Sequence, residues 1–311
     1  MALAEAAALR ARLAPEVPAA RTGTLEHPQW VLTVSVPASQ PNDSLPFCKV
    51  CNLEDFADPS LREAMTDVYG PEVAPPGFED RKIWEVGMAV RALRSFGALT
   101  SDAELLGVGA GREATLFYLT NVVSRVFATD LYLAPGTWER TATSAMLGDP
   151  AEYWTGAWNP KRLVVQHMDA TELRYEDGAF DGIFSSSSIE HFGSEAAVRR
   201  SASEMCRVLK PGGLCTVSTE LRLRGDGDGL PGTRLFTAST LHELIVDSLP
   251  WELVEPIDLT VSSKTESVIV DFAEALADVT DGRPGWTTYP HVVLSSSGYT
   301  WTSVHLALRR N

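Results

Sequence analysis

The chain has no apolar run of the roughly 18 residues that a membrane-spanning helix needs. Basic residues are scarce: 26 Lys and Arg stand against 41 Asp and Glu, a formal charge of -15. That balance repels phosphate backbones and argues against nucleic acid as a partner. A small molecule is the simpler one. Cysteine is also scarce, with only Cys48, Cys51, Cys206 and Cys215. Cys48 and Cys51 form a C-x2-C pair with no second pair and no thioredoxin-like surroundings, so two ordinary thiols are expected rather than a zinc or redox site. Cys206 and Cys215 fall in an expected helix and strand and read as small core residues. No internal repeat or long low-complexity tract is visible. The alanine-rich opening is interrupted by Glu5, Arg10 and Arg12. It lacks the basic-then-apolar order of a secretory signal, so an amphipathic helix and a cytoplasmic location are expected.

What is present is the composition of an ordinary soluble globular protein, 44% hydrophobic and 22% charged. Three zones emerge. Residues 1–99 are expected to form an extension that serves as a lid or a dimer surface, so a homodimer is the oligomer to look for. This zone has an alternating strand-like run from Trp30 to Val36, Pro-rich connections, and a helix from Arg81 to Phe96 stopped by Gly97. Trp84 and Tyr69 either line the lid or pack this helix onto the rest. Residues 100–311 are expected to form the main domain, with an insertion at about 261–299. Within it, strands are expected at Glu104–Val108, Val126–Asp130, Leu163–Met168, Gly182–Ser186 and Leu214–Thr219. Helices are expected at Glu113–Val123, near Trp138–Leu147 and at Glu195–Leu209. This alternation builds a doubly wound, mostly parallel α/β sheet covered on both faces. Beyond it come a Gly-rich, mobile loop over Arg224–Gly232, a helix Ala238–Asp247, a strand Leu253–Leu259 and a closing strand Tyr299–Leu308.

The strongest local signal is Glu104-Leu-Leu-Gly107-Val-Gly109-Ala-Gly111, which runs from a strand into a helix. Such glycines let the backbone turn sharply and let a ligand approach main-chain N–H groups. The next strand ends in Asp130, about twenty residues past the glycines, where a carboxylate can accept from both ribose hydroxyls of an adenosine ligand. This suits a nicotinamide cofactor and S-adenosylmethionine equally. Asp169, at the end of the third strand, separates the two, because it can accept from an adenine amine while Ala170 offers a backbone N–H.

Two further segments, Phe180-Asp181-Gly-Ile-Phe-Ser185-Ser-Ser-Ser-Ile-Glu190-His191 and Arg207-Val-Leu-Lys210-Pro-Gly-Gly213, complete a pattern. From about Glu104 to Glu220 the chain resembles the class I, Rossmann-like S-adenosylmethionine-dependent methyltransferases, in particular their small-molecule branch. The flanks around Phe236–Leu259 and Pro290–Leu308 look like methyltransferases found with polysaccharide genes. The resemblance implies a seven-stranded sheet with an antiparallel last strand. It implies that S-adenosylmethionine is the cofactor and S-adenosylhomocysteine the product. Gly107, Gly109 and Gly111 would face the methionine and ribose, Asp130 the hydroxyls, and Leu131 and Tyr132 the adenine. Asp169 and Ala170 would read the adenine edge, and Ser185 would approach the sulfonium. The Lys-Pro-Gly-Gly turn and Asp181 are expected to be structural.

Methyl transfer is an in-line displacement, and an alcohol or phenol acceptor needs a base. His191, after the fourth strand, is the candidate base, with Glu190 second and His242 and His291 more remote; His167 reads as structural. Trp154, Trp158 and Trp286 are candidates to wall a substrate pocket. The fourth strand ends in serines rather than the Asp/Asn-Pro-Pro-Tyr of adenine and glutamine N-methyltransferases. Clustered Asp and Asn ligands of a magnesium site are also missing, so a metal-independent O- or N-methylation of a small molecule is expected, such as a sugar or secondary-metabolite intermediate. The alternatives are a catalytically silent cofactor-binding or scaffolding subunit and an NAD-dependent dehydrogenase.

Overall fold

Within the sequence's β-branched runs, the backbone pairs into a sheet whose inner strands are buried on both faces. The computed structural model describes residues 44–134, 142–247, 249–280 and 289–311. The elements used below are strand β1 (Lys49–Val50), helices α1 (Pro59–Tyr69) and α2 (Arg81–Ser95), β2 (Glu104–Val108), α3 (Ala114–Leu119), β3 (Arg125–Asp130), β4 (Leu163–His167) and β5 (Phe180–Ser186). They continue with α4 (Glu195–Val208), β6 (Leu209–Arg224), β7 (Gly229–Leu230), β8 (Thr233–Arg234), α5 (Ala238–Leu241), β9 (Trp251–Leu253), α6 (Ser263–Glu266), β10 (Ile269–Asp271), α7 (Phe272–Thr280), β11 (Val293–Ser296) and β12 (Tyr299–Arg310).

Strands β4, β3, β2, β5 and β6 lie side by side in that order, all parallel, and β12 joins β6 antiparallel. The expected architecture is present, and the sheet is larger than seven strands. Ten strands are joined, because the far edge of β12 is covered in three pieces by β1, β9 and β11, with β10 outermost. Chain order reverses at β2, whose neighbours β3 and β5 lead off to opposite edges. A crevice opens at the carboxyl ends of strands at such a switch point, which is where α/β sheets bind ligands.

Helix α2 shows how the sequence settles its place. Asp80 caps it by accepting from the Lys82 N–H at 2.8 Å. Every residue from Trp84 to Leu93 is buried, so the helix cannot lie on the surface. It packs between α1 and the face formed by β5, β6 and β12. Trp84 is part of that packing, and its indole N–H donates to Asp55 at 2.9 Å. Residues Pro46–Asn311 form one unit that includes β1, α1 and α2, so the part of the expected extension from residue 46 onward is built into the sheet domain.

Several local expectations need correction. The Gly-rich stretch before Gly232 is a small hairpin, β7 with β8, not an open loop. The strand expected at Leu253–Leu259 ends at Leu253, since Pro256 has no N–H to donate to a ladder. Past it, the Val254 N–H still donates to Ala307, and Asp258 returns to bridge Lys49. The helix expected near Trp138–Leu147 shows a single 3-10 turn at Ser144–Leu147, and residues 135–141 lie outside the described residues. The helix and strand expected before residue 44, and Trp286, lie outside them as well. Among the described residues no helix is long and apolar enough to cross a membrane.

Candidate active site

The crevice at the switch point is a cavity of about 690 Å³, within the range of small-molecule sites. One wall is the turn from β2 into α3. Its bends are made by Gly109 and Gly111, with φ of 61° and 48°, the left-handed region where a side chain is strained. Gly109 also lies so close to Ser188 that a Cβ there would sit 2.5 Å from the serine Cβ. The turn is pinned from the next strand. Asp130 accepts from the Gly111 N–H at 2.9 Å and the Leu131 N–H at 2.7 Å. Burial raises the Asp130 carboxyl above the usual range, and these two bonds oppose the rise.

Leu131, Met168, Asp169 and Ala170 also line the cavity. The Asp169 carboxylate accepts from the Thr171 N–H and hydroxyl, both at 2.8 Å, which fixes the turn after β4. Ser186, Ser187, Ser188 and His191 complete the wall beyond β5. Ser187 holds a left-handed φ of 46°, rare outside glycine. A network under the cavity ties it down. Its hydroxyl donates to Glu85 at 2.6 Å and accepts from Lys82. Lys82 reaches Glu220 at 3.0 Å, and one Arg81 nitrogen donates to both Glu220 oxygens at 2.7 Å. Burial alone would raise the Glu220 carboxyl, but Arg81 and Lys82 outweigh it and hold the group near 2.

The sequence candidates divide into those that reach the cavity and those that support it. Gly109, Gly111, Asp130, Leu131, Asp169, Ala170 and His191 line it. Gly107, Tyr132, Ser185 and Glu190 do not. Gly107 is a packing glycine, since a Cβ would meet the Phe184 ring at 2.7 Å. Tyr132 is 2% exposed and donates its hydroxyl to the Gly111 carbonyl at 2.6 Å, bracing the turn from behind. Ser185 is 1% exposed and lies off the cavity, which is lined by Ser186, Ser187 and Ser188 instead. Glu190 is buried below His191, accepting from Thr219 at 2.8 Å. Its carboxyl is pushed up to about 8, by burial first and then by the Glu220 charge.

The His191 ring is held by the hairpin that sequence reasoning read as a mobile loop. Nδ1 lies 2.8 Å from the Gly232 carbonyl, which can only accept, so the proton sits on Nδ1. Nε2 is 3.8 Å from the upper oxygen of Glu190. Burial pulls the His191 pKa below its ordinary value, so the ring is neutral at neutral pH. The remaining candidates fall elsewhere. Trp154 stacks on Phe117 at 5.6 Å and Trp158 meets the same ring edge-on at 5.2 Å, so both cover α3. His242 is on the surface, and His291 is buried with its backbone paired to Glu79 and Arg81. His167 accepts from the Leu133 N–H at 3.2 Å, a structural role. The Cys48 thiol, buried, is pushed up to about 12. Among the described residues no group of three or more His, Cys, Asp or Glu is arranged to hold a metal ion.

This lining suits an adenosine-bearing cofactor, with a glycine turn open to backbone contact and two carboxylates, Asp130 and Asp169, on one cavity. Residues 106–217 match the family described as "Methyltransferase domain". The residues that line the crevice all fall within this match, so residues 106–217 are similar to a methyltransferase domain. No curated protein matches the sequence at a significant level. Solved structures similar to the chain include a putative sarcosine dimethylglycine methyltransferase from Galdieria sulphuraria, with 14% identity over 80% of this chain and 97% of that one, TM-score 0.47. Others are the [4+2]-cyclase SpnF, with 20% identity over 81% and 96%, TM-score 0.47, and geranyl diphosphate C-methyltransferase from Streptomyces coelicolor A3(2), with 13% identity over 82% and 99%, TM-score 0.46.

Proposed function

We propose that the chain methylates an oxygen or nitrogen of a small-molecule acceptor, such as a sugar or secondary-metabolite intermediate, without a metal, and that His191 is the general base. The observation that carries this reading is a neutral imidazole on the cavity wall, with its proton committed to Gly232 through Nδ1. Bound S-adenosylmethionine supplies an electrophilic methyl group on its sulfonium. Asp130 would hold the ribose hydroxyls, and Asp169 with the Ala170 N–H would hold the adenine edge. The Nε2 lone pair of His191 takes the proton that an acceptor hydroxyl loses as it attacks, or the one that an acceptor ammonium must lose before its nitrogen can attack. The imidazolium so formed lies beside Glu190, whose ionisation would stabilise it. Glu190 thus acts through His191 as a positioning residue.

His191→Asn tests this, because the Asn amide can keep the bond to Gly232 while deleting Nε2. With an acceptor in hand, kcat should fall about 10²–10⁴-fold while cofactor affinity stays within threefold of wild type. The wild-type rate should fall on the acid side of the ordinary histidine range, about 6.5, and the variant should lose that limb. A variant with near wild-type kcat, or an unchanged acid limb, overturns the assignment. Binding of the cofactor with no turnover of any acceptor class would instead favour a cofactor-binding scaffold.

A further inference from the structure

The turn that carries His191 starts from a residue ill suited to its backbone. Ser187 holds a φ of 46°, a conformation that strains any residue with a Cβ and that glycine adopts freely. What serine adds is a hydroxyl, which donates to Glu85 at 2.6 Å and accepts from Lys82, both on α2. The rest of the turn is built outward from that point. The Ser187 N–H donates to the Ser218 carbonyl at 2.8 Å, and the Ser188 carbonyl accepts from the His191 N–H at 2.8 Å. The Ser188 hydroxyl donates to the Gly109 carbonyl at 2.7 Å, so the same turn meets the glycine wall of the cavity. A shift at Ser187 therefore moves His191. Lys82 resists such a shift, because its ammonium also reaches Glu85 at 3.2 Å and Glu220 at 3.0 Å. Desolvation cancels most of the attraction in a buried ion pair, so fold stability is a weak reason for this cluster.

We propose that Lys82 and Glu85 are positioning residues for methyl transfer, holding the His191 imidazole in place on the cavity wall through the Ser187 turn. This rests on His191 being the base. Lys82 also acts on the ring through its charge. The ring has Glu190 at 3.8 Å, the Gly232 carbonyl at 2.8 Å and the Thr233 hydroxyl at 3.5 Å. Lys82 and Arg81 act on it from α2, and Glu220 from β6. On the hairpin side, Arg234 of β8 is paired with Glu195 of α4 at 3.2 Å. Burial is the largest cause of the lowered His191 pKa, and the Gly232 bond opposes it. The Lys82 and Arg81 charges add to the lowering, and the Glu220 charge opposes them. Losing the Lys82 charge should therefore raise the His191 pKa. The Lys82 side chain is 37% exposed, and Arg81 keeps Glu220 paired at 2.7 Å without it, so the fold tolerates its replacement.

NMR of the full chain, with its histidines isotope-labelled at the ring nitrogens, tests this without an acceptor. The His191 signals are those that vanish in His191→Asn. In wild type they should show one neutral tautomer, protonated at Nδ1. Lys82→Met should raise the His191 pKa and mix the two tautomers, and Lys82→Arg, which keeps the charge and the donors, should restore both properties. Ser187→Gly separates positioning from plain support. It relaxes the strained turn and deletes the tie to α2, so it should melt at or above the wild-type temperature while its His191 ring mixes tautomers. With an acceptor in hand, Ser187→Gly and Lys82→Met should lose about 10- to 100-fold in kcat. Their Kd for S-adenosylhomocysteine should stay within about threefold of wild type. A His191 ring unchanged in tautomer and pKa in both variants overturns the inference. A ring that changes while kcat holds overturns His191 as the base and leaves the tie between α2 and His191 standing.

Discussion

Asp130→Asn isolates the carboxylate at the end of β3 with almost no change of shape. The wild-type side chain uses one oxygen for the Gly111 N–H and the other for the Leu131 N–H. Each oxygen keeps a second lone pair for a ribose hydroxyl. The asparagine retains one oxygen, and whichever way its amide is turned the NH2 faces the Gly111 or the Leu131 N–H, donor against donor, which displaces the side chain from its place beside the ligand. One charge-assisted bond to the ligand is therefore lost and a second weakened, at about 1.5–3 kcal/mol for a hydrogen bond to a charged group. A net loss of about 2–3 kcal/mol raises the Kd for S-adenosylmethionine roughly 30- to 150-fold.

Folding stability should respond differently. Burial raises the Asp130 pKa, so ionising this group at neutral pH works against the free fold. Relieving that charge offsets much of the lost backbone bond, and the variant should melt within a few degrees of wild type. Titration calorimetry beside thermal melts of ligand-free protein separates the two quantities. If Asp130→Asn binds the cofactor within threefold of wild type, Asp130 does not hold the ribose. If it fails to fold, the carboxylate is a structural brace for the glycine turn, and its role toward the ligand is secondary.

Gly107→Ala tests the distinction between packing and binding glycines: the added Cβ would lie 2.7 Å from the Phe184 ring and 2.8 Å from the Ala110 Cβ. Denaturant unfolding should show a loss of about 1–3 kcal/mol from overpacking, and a loss under 0.5 kcal/mol would show that the layer has slack the distances deny. Glu190→Gln tests the buried acid below His191. The wild-type carboxyl is raised to about 8, so the fold favours its protonated form, and stability is lost as pH climbs from the ordinary carboxylate range through 8. The variant should be about as stable as wild type at pH 5 and more stable by a few kcal/mol at pH 9. Urea unfolding at both pH values checks this, and an unchanged pH slope in Glu190→Gln would refute it.

The part of the fold legible in the sequence is the part in which local pattern and tertiary role coincide. Strands β2 to β5 are short apolar runs that only a two-sided parallel sheet can bury, and the glycines and Asp130 sit at its switch point for reasons any residue-by-residue reading can reach. Three features escaped because they depend on partners distant in the chain. The edge of β12 is closed by β1, β9 and β11, segments too short to show a period of two. Ser187 is held from below by Lys82 and Glu85, on a helix whose apolar spacing drew attention to its packing face alone. Gly232 orients His191 from a stretch whose glycines suggested mobility.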